Sequence, residues 1–278
     1  MKVADALRAA EEILRGHSES ARLDAEVLLA HVLGWNRALL ISADRDEVDA
    51  VRAKKLSELI ERRAQGEPVA YLTGVKEFWS LPLKVTPDVL IPRPETETLV
   101  EWALDIIVNI SAPRVADLGT GSGAIALAIA SERPDAKIVA TDQSAKALRV
   151  AQENAKQLGI GNVRFAQGSW LAPLQGELFD LIVSNPPYVP IGDPHLQSLR
   201  HEPESALIAG DDGLEAIRAI ADAAPKHLRS MSWLLLEHGT TQGAALRNEL
   251  VLAGLRSVRS HHDLAGHERM TEGQYDPL

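Results

Sequence analysis

Asp117-Leu118-Gly119-Thr120-Gly121-Ser122-Gly123 lies where a short apolar strand, Val115 to Leu118, gives way to a helix rich in Ala, Ile and Leu, Ala124 to Ala130. Glycines at alternate positions let the backbone turn tightly and approach a ligand closely. The N-terminus of the helix beyond them favours a carboxylate or phosphate. Lys137 to Thr141 reads as a second strand, and Asp142 ends it. About twenty residues past the first glycine is where a ribose-binding carboxylate belongs in a nucleotide-binding βαβ unit. Gly119, Gly121 and Ala124 also satisfy the dinucleotide pattern Gly-x-Gly-x-x-Ala, so the loop alone leaves its ligand open.

Outward from this loop, strand and helix alternate. Ser144 to Leu158 reads as a helix capped by Ser144 and stopped by Gly159. Val163 to Ala166, Leu178 to Ser184 and Trp233 to Leu236 read as further strands. The rhythm predicts an α/β fold, a mostly parallel sheet with helices on both faces. Such sheets bind ligands beyond the carboxyl ends of their strands, where strand order reverses. No internal repeat or low-complexity segment interrupts it.

Upstream, apolar residues recur at helical spacing: Val3, Leu7, Ala10 and Leu14, then Leu23, Val27, Ala30 and Leu33 before Gly34, then Val48, Val51, Leu56, Leu59 and Ile60. Three or four short helices in a small bundle are expected over 1–68, as a packing module or a partner-docking domain. From 69 to 92, aromatic and β-branched residues punctuated by Gly74 and Pro82 predict a β-hairpin linker. The remainder, 93–278, is the α/β domain. Ile91-Pro92-Arg93-Pro94-Glu95-Thr96-Glu97 spans the junction, where two prolines give an extended lead-in and the acidic residues suit the first turn of a helix through Trp102 and Ile106.

The strand ending at Ser184 runs into Asn185-Pro186-Pro187-Tyr188. Neither proline has an N–H, so this corner offers carbonyl oxygens without competing donors. The Asn185 side-chain oxygen and the Pro186 carbonyl can accept both hydrogens of one –NH2 group, and Tyr188 supplies a flat face for stacking. A planar substrate nitrogen, amide or aromatic amine, is what such a corner grips. A hydride-transfer enzyme has no need of it. A carboxylate at Asp117, two residues before the first glycine, suits the amino group of a methionine and sits awkwardly beside a pyrophosphate. Both details favour S-adenosylmethionine over a dinucleotide.

Composition narrows the classes further. The net charge is −10, which argues against broad affinity for nucleic acid. The basic clusters at Arg52, Lys54 and Lys55 and at Arg62 and Arg63 are flanked by acidic residues, as on a solvated helix face. There is no cysteine, which excludes disulfides and thiolate metal sites and fits a reducing cytoplasm. No apolar stretch is long enough to cross a bilayer, and the first residues lack a signal-peptide pattern. A cytoplasmic monomer without direct nucleic-acid binding is the expectation. His261, His262 and His267 lack a partner to complete a metal set, so no metal is predicted.

These stretches closely resemble the Class I, Rossmann-like methyltransferases, and among them the release factor glutamine methyltransferases. The resemblance spans nearly the whole chain. Besides Leu90 to Glu97, Asp117 to Leu127 and Phe179 to Tyr188, it includes Asp142, Ser144, Ala147, Leu148, Asn154-Ala155, Gly168-Ser169-Trp170, Glu202-Pro203, Ala206-Leu207, Gly210, Asp212-Gly213-Leu214, Asp263 to Gly266 and Arg269. Asn-Pro-Pro-Tyr alone is shared with nucleobase amino-methyltransferases; the Pro-Arg-Pro-Glu-Thr-Glu stretch with the helical N-terminal domain is more specific. The resemblance implies a seven-stranded sheet, and methylation of the glutamine amide in the Gly-Gly-Gln motif of class-1 peptide chain release factors. It implies that Asp117, Gly119, Thr120, Gly121, Ser122 and Gly123 wrap the methionine end of the cofactor, that Asp142 holds the ribose and that Trp170 lies near the adenine. Asn185 to Tyr188 would hold the substrate glutamine. A DNA or RNA adenine methyltransferase using the same corner is the alternative. The long stretch Val189 to Asp212 is expected to be a loop over the substrate, with His201 and Glu202 free to contact it or simply solvated.

Overall fold

The computed structural model describes residues 1–263 and 265–277; Leu264, within the Asp263 to Gly266 stretch, lies outside them. The chain divides into two compact units, Met1–Val75 and Lys76–Leu278.

The first unit is helical: α1 (Val3–Leu14), α2 (Ala21–Leu33), α3 (Arg37–Ser42), α4 (Ala50–Ala64) and α5 (Val69–Thr73). Asn36 and Asp49 cap α3 and α4 by accepting from the amides of Leu39 and Arg52. Gly34 stops α2 in the left-handed conformation, as its sequence position predicts. The buried stripe of α2 differs from the expected one. Leu23 faces solvent, while Ala25, Leu28 and Leu29 face the core with Leu14, Leu40 and Ile60. Asp24 decides that rotation. It is buried, accepting from Ser18 Oγ at 2.7 Å, Ser20 Oγ at 2.9 Å and Arg63 Nε at 2.7 Å. Arg63 is therefore a structural partner rather than part of a solvated face. Val51, expected on the apolar stripe of α4, is exposed. Val69–Thr73, expected to begin a hairpin, is a helical turn.

The second unit opens with a hairpin, β1 (Val75–Phe78, its first residue at the unit boundary) and β2 (Leu81–Lys84), and continues with α6 (Glu95–Ile106), β3 (Arg114–Leu118), α7 (Ala124–Glu132), β4 (Lys137–Asp142), α8 (Ala145–Leu158), β5 (Val163–Gln167), β6 (Phe179–Ser184), α9 (Glu215–Ala223), β7 (Leu228–Glu237), α10 (Gly243–Leu252), β8 (Arg256–His262) and β9 (Glu268–Tyr275). Among the described residues the main sheet has seven strands in the order β5-β4-β3-β6-β7-β9-β8. All pairs are parallel except those of β9, which runs antiparallel to β7 and β8. This is the mostly parallel, helix-flanked sheet expected of the α/β class. Helix α7 is buried all round and packs with Val115, Ile138, Leu181 and Val183, as its apolar sequence requires. The C-terminal pair β8 and β9 carries too many charged residues to read as strands by pattern alone.

The chain leaves β3 toward β4 and β5, then returns to form β6 on the other side of β3. The switch point therefore lies between β3 and β6. Register aligns the strand ends there: Leu118 pairs with Thr141 and with Ser184, and Ser184 pairs with Leu236. Ser184 Oγ donates to Leu118 O at 2.6 Å and locks that alignment. Gly119, Asp142, Asn185 and Glu237 thus leave the sheet side by side.

The β1–β2 hairpin closes through Trp79-Ser80, both at positive φ (53° and 58°). Two-residue hairpin loops of this kind prefer Asn-Gly because a Cβ strains the left-handed region, and glycine has none while asparagine can hydrogen-bond locally. Trp79 is held there by its amide donating to Glu97 Oε1 and its indole donating to Glu132 Oε1, each at 2.8 Å. Ser80 is exposed. Ser80→Gly should therefore stabilise the protein by about 0.5–1 kcal/mol, read as a higher urea midpoint at unchanged slope. A lower midpoint would show that Ser80 carries no strain.

Candidate active site

Two cavities meet at the carboxyl ends of the strands. The first is lined by Gly119, Gly121, Asp142, Trp170, Asn185 and Pro187, together with Val89, Ser144 and Ala206. The second is lined by Asn185, Pro186, Tyr188, Arg93, Gln242 and Arg269 among others. Asn185 lines both. The residues singled out in the sequence are thus brought together, but not all reach the cavity wall. Asp117, Thr120, Ser122 and Gly123 lie behind it. Asp117 is fully buried, and its Oδ2 accepts from Thr120 Oγ1 at 2.6 Å and from the Ala126 amide at 3.2 Å. It braces the glycine loop from beneath. Its Oδ1 has no hydrogen-bond partner among the described residues, and burial pushes the carboxyl up to about 7.

Asp142 accepts from the Gly121 amide at 2.9 Å and the Ser144 amide at 2.8 Å, one on each oxygen. Each oxygen keeps a lone pair for a further donor. Burial raises its pKa against these two bonds. Trp170 sits in the left-handed region, φ 48°, and its carbonyl accepts from Thr141 Oγ1 at 3.0 Å. Its ring lies over Gly119, where a Cβ would come within 3.1 Å. The ring therefore covers the glycine loop and also packs against the core.

Asn185 Nδ2 donates to Thr96 Oγ1 at 3.1 Å, which leaves its Oδ1 as the acceptor of the corner. Thr96 is buried in the first turn of α6. Tyr188 is held phenolic, its pKa pushed up to about 12 by burial and then by the charge of Glu237. Gln242 holds the corner from outside. Its Nε2 donates to Tyr188 O at 3.0 Å and Gly213 O at 3.3 Å, and its Oε1 accepts from the Gly239 amide at 2.8 Å. Asn154, buried on α8, accepts from the Lys84 amide and donates to Lys84 O and Ser122 O, tying the glycine loop to β2.

Thr96, Gln242 and Gly213 carry the corner, and Glu237 acts on Tyr188 by its charge, without having been assigned a role from sequence. Glu237 had a signal, a carboxylate at the carboxyl end of an apolar strand; Gln242 had none. The stretch Val189 to Asp212 is not a free loop. Val189 and Ile208 form a parallel bridge, and short 3₁₀ turns occupy Pro194–Gln197 and Glu204–Ala206. Glu202, expected to be available to substrate, is buried and accepts from the Ile91 amide at 3.0 Å and from Arg93. Both of its oxygens are thereby committed to fixing the stretch. His261 stacks on Trp102 with ring centroids 3.7 Å apart, and no cluster of three potential metal ligands occurs among the described residues.

The chain is 53% identical over 255 residues to the release factor glutamine methyltransferase of Xylella fastidiosa, covering 91% of this chain and 93% of that one. It is 48% identical over 270 residues to the enzyme of the same name from Coxiella burnetii, covering 97% and 98%. The chain belongs to the release factor glutamine methyltransferase family. A PrmC N-terminal domain matches residues 5–74 and a methyltransferase domain matches 111–235. The first match coincides with the helical unit. The fold of the second unit is that of methyltransferases: a solved methyltransferase from Pyrococcus furiosus aligns at a TM-score of 0.56 and 18% identity, over 80% of this chain and 100% of that one.

Gly213 gives a direct test of how tightly the corner is held. Its φ is 73°, and a Cβ would fall 2.3 Å from Tyr188 O and 2.7 Å from Gln242 Nε2. Gly213→Ala should cost about 2–5 kcal/mol in stability and displace the corner, seen as a lower melting temperature together with lost methyl transfer. A variant with wild-type melting and turnover would show that Gln242 does not fix the corner.

Proposed function

We propose that this enzyme transfers a methyl group from S-adenosylmethionine to the glutamine side-chain amide of the Gly-Gly-Gln motif in class-1 release factors, with S-adenosylhomocysteine as product. The single observation that carries the reading is Asn185 on the wall of both cavities, its Nδ2 engaged and its Oδ1 left to accept. The first cavity suits a nucleoside with a charged tail. Asp142 keeps lone pairs for two ribose hydroxyls, Trp170 offers a flat face, and Gly119 and Gly121 allow close backbone approach. Gly119 and Gly121 would wrap the amino-acid end, on a loop that Asp117 braces from beneath. S-adenosylmethionine, when bound, supplies an electrophilic methyl carbon on a sulfonium.

The residues of the second cavity handle the acceptor. An amide nitrogen is a poor nucleophile because its lone pair is delocalised. Asn185 Oδ1 and the Pro186 carbonyl accept its two N–H bonds, polarise them and aim the nitrogen toward the first cavity. Tyr188 stacks on the amide plane as a neutral phenol. Positioning and fixed dipoles supply most of the catalysis, and no strong base is needed. The proton leaves once the nitrogen carries a fourth substituent and has become acidic. The net charge and the named relatives favour this acceptor over nucleobases. We take the enzyme to be a cytoplasmic monomer whose helical unit docks the release factor away from the glutamine. Among the described residues no helix is long and apolar enough to cross a membrane.

Labelled methyl transfer tests the reading. A release factor with Gly-Gly-Gln should take label, while one with Gly-Gly-Ala and adenine-containing DNA should not. Label on DNA alone would make the nucleobase reading correct. Asn185→Ala should lose about 100-fold or more in turnover while keeping cofactor affinity; unchanged turnover would remove Asn185 from the mechanism. Deleting residues 1–75 should raise KM for the release factor far more than for S-adenosylmethionine, and equal increases would count against the docking role.

A further inference from the structure

Asn185 is not alone on the wall between the two cavities. Leu90 and Ala206 also line both. A methyl group passing from the first cavity to the second must cross the opening that these residues frame. They come from separate stretches of chain. Asn185 follows β6, Leu90 belongs to residues 85–94, which are in neither strand nor helix, and Ala206 ends the 3₁₀ turn Glu204–Ala206. Neither Leu90 nor Ala206 lies in a strand of the main sheet, so strand register does not set their distance from Asn185.

Glu202 ties the two stretches together. It is buried, 7% exposed, and its Oε2 accepts from the Ile91 amide at 3.0 Å while its Oε1 accepts from the Arg93 guanidinium. Ile91 adjoins Leu90, and Pro92 and Pro94 carry no amide hydrogen, so the backbone has few other donors by which this segment could be held. On the far side, the Ala206 amide donates to Pro203 O at 2.9 Å. The next carbonyl, of Leu207, accepts at 2.8 Å from the amide of Val189, which directly follows Tyr188. Asn185 Nδ2 donates to Thr96 Oγ1, in the helix that begins at Glu95 just beyond Arg93 and Pro94. The bonds close a ring around the opening: from the corner to the start of α6, back along residues 93–90, across Glu202 to Ala206, and through Leu207 to the corner again.

We propose that Ala206 borders the aperture through which the methyl group is transferred, and that Glu202 is the positioning residue that sets the width of that aperture. The proposal deepens the glutamine-methyltransferase reading above and rests on it. In the transfer, the carbon–sulfur bond breaks with its electron pair left on sulfur. The amide nitrogen's pair forms the new carbon–nitrogen bond, and one N–H proton is lost to water. The carbon moves along one line, so both partners must be held at a fixed separation, and a misplacement of about 1 Å costs up to about 100-fold in rate. A side chain as small as that of Ala206 leaves room for the methyl group; a larger one intrudes on it. Gln at position 202 offers a single acceptor oxygen and turns an –NH2 group toward a donor, which breaks one side of the ring.

The test compares S-adenosylmethionine with S-adenosylhomocysteine, which lacks the methyl group that must lie at the aperture. Their affinities are measured by calorimetry for wild type, Ala206→Gly, Ala206→Leu and Glu202→Gln, with kcat, KM for the release factor, melting temperature and hydrogen exchange at the Ile91 amide. Ala206→Leu should weaken S-adenosylmethionine by about tenfold or more relative to S-adenosylhomocysteine, and lower kcat with it. Ala206→Gly should keep the wild-type ratio. Glu202→Gln, assayed well below its melting temperature, should lower kcat by about 10–100-fold with a smaller change in KM, and speed exchange at Ile91. A merely architectural role at position 206 would weaken both compounds alike, so an unchanged affinity ratio in Ala206→Leu would overturn the aperture. Wild-type kcat in folded Glu202→Gln would overturn the positioning role; if that variant does not fold, the ratio in Ala206→Leu still decides. A wild-type enzyme that binds both compounds yet methylates no glutamine acceptor would overturn the reading beneath instead, and the affinity ratio is read independently of that outcome.

Discussion

Strand register is the constraint on which the site depends. Thr141, Leu118, Ser184 and Leu236 stand opposite one another across β4, β3, β6 and β7. A residue following each of them therefore emerges on the same line. A sheet packed against helices fixes register strongly, because a one-residue slip moves every side chain to the opposite face and into the wrong core. The hydrogen bond from Ser184 to Leu118 adds a local lock at the point where the two cavities meet. The chemistry at Asn185 is thereby set by the packing of Val115, Leu181, Val183 and Leu235 several residues away.

Around this line the chain uses backbone conformations that only small residues, or well-held larger ones, can adopt. Gly119 admits the Trp170 ring, and Gly213 admits the Tyr188 carbonyl. Trp170 itself is held at φ 48° by packing and by the bond to its carbonyl from Thr141. Left-handed conformations for bulky residues cost of order 1–3 kcal/mol and persist where surrounding structure over-determines them. Here they bring a flat indole onto a glycine loop, which no regular strand or helix end would do.

Much of this was legible in the sequence. The glycine loop, Asp142 and the Asn185 corner announce themselves because each is a local departure from apolar periodicity at a strand end. The parallel strands were legible as short runs rich in apolar residues, with Asp117, Arg164 and Asp180 as single interruptions. The closing pair β8–β9 was not, because Arg256 to His262 and Glu268 to Tyr275 place charges on strands stabilised by pairing and by contacts such as His261 on Trp102. The rotation of α2 was hidden for a similar reason: Asp24 is buried only because Arg63, distant in sequence, meets it. The anchoring of Val189 to Asp212 by Glu202 is another long-range pairing. What sequence pattern misses is consistently the polar group satisfied by a partner far along the chain.

Asn154 shows how such a partner joins separate segments. One buried side chain bonds the Lys84 amide and carbonyl in β2 and the Ser122 carbonyl in the glycine loop. Opening any one of these segments exposes polar atoms in the others, so hairpin, loop and the middle of α8 form one cooperative unit against local unfolding. A ligand that binds only the closed loop raises the free energy of that opening by mass action. Hydrogen exchange at the Lys84 amide, outside the cavity lining, then reports how fully the cavity beside Asp142 is occupied.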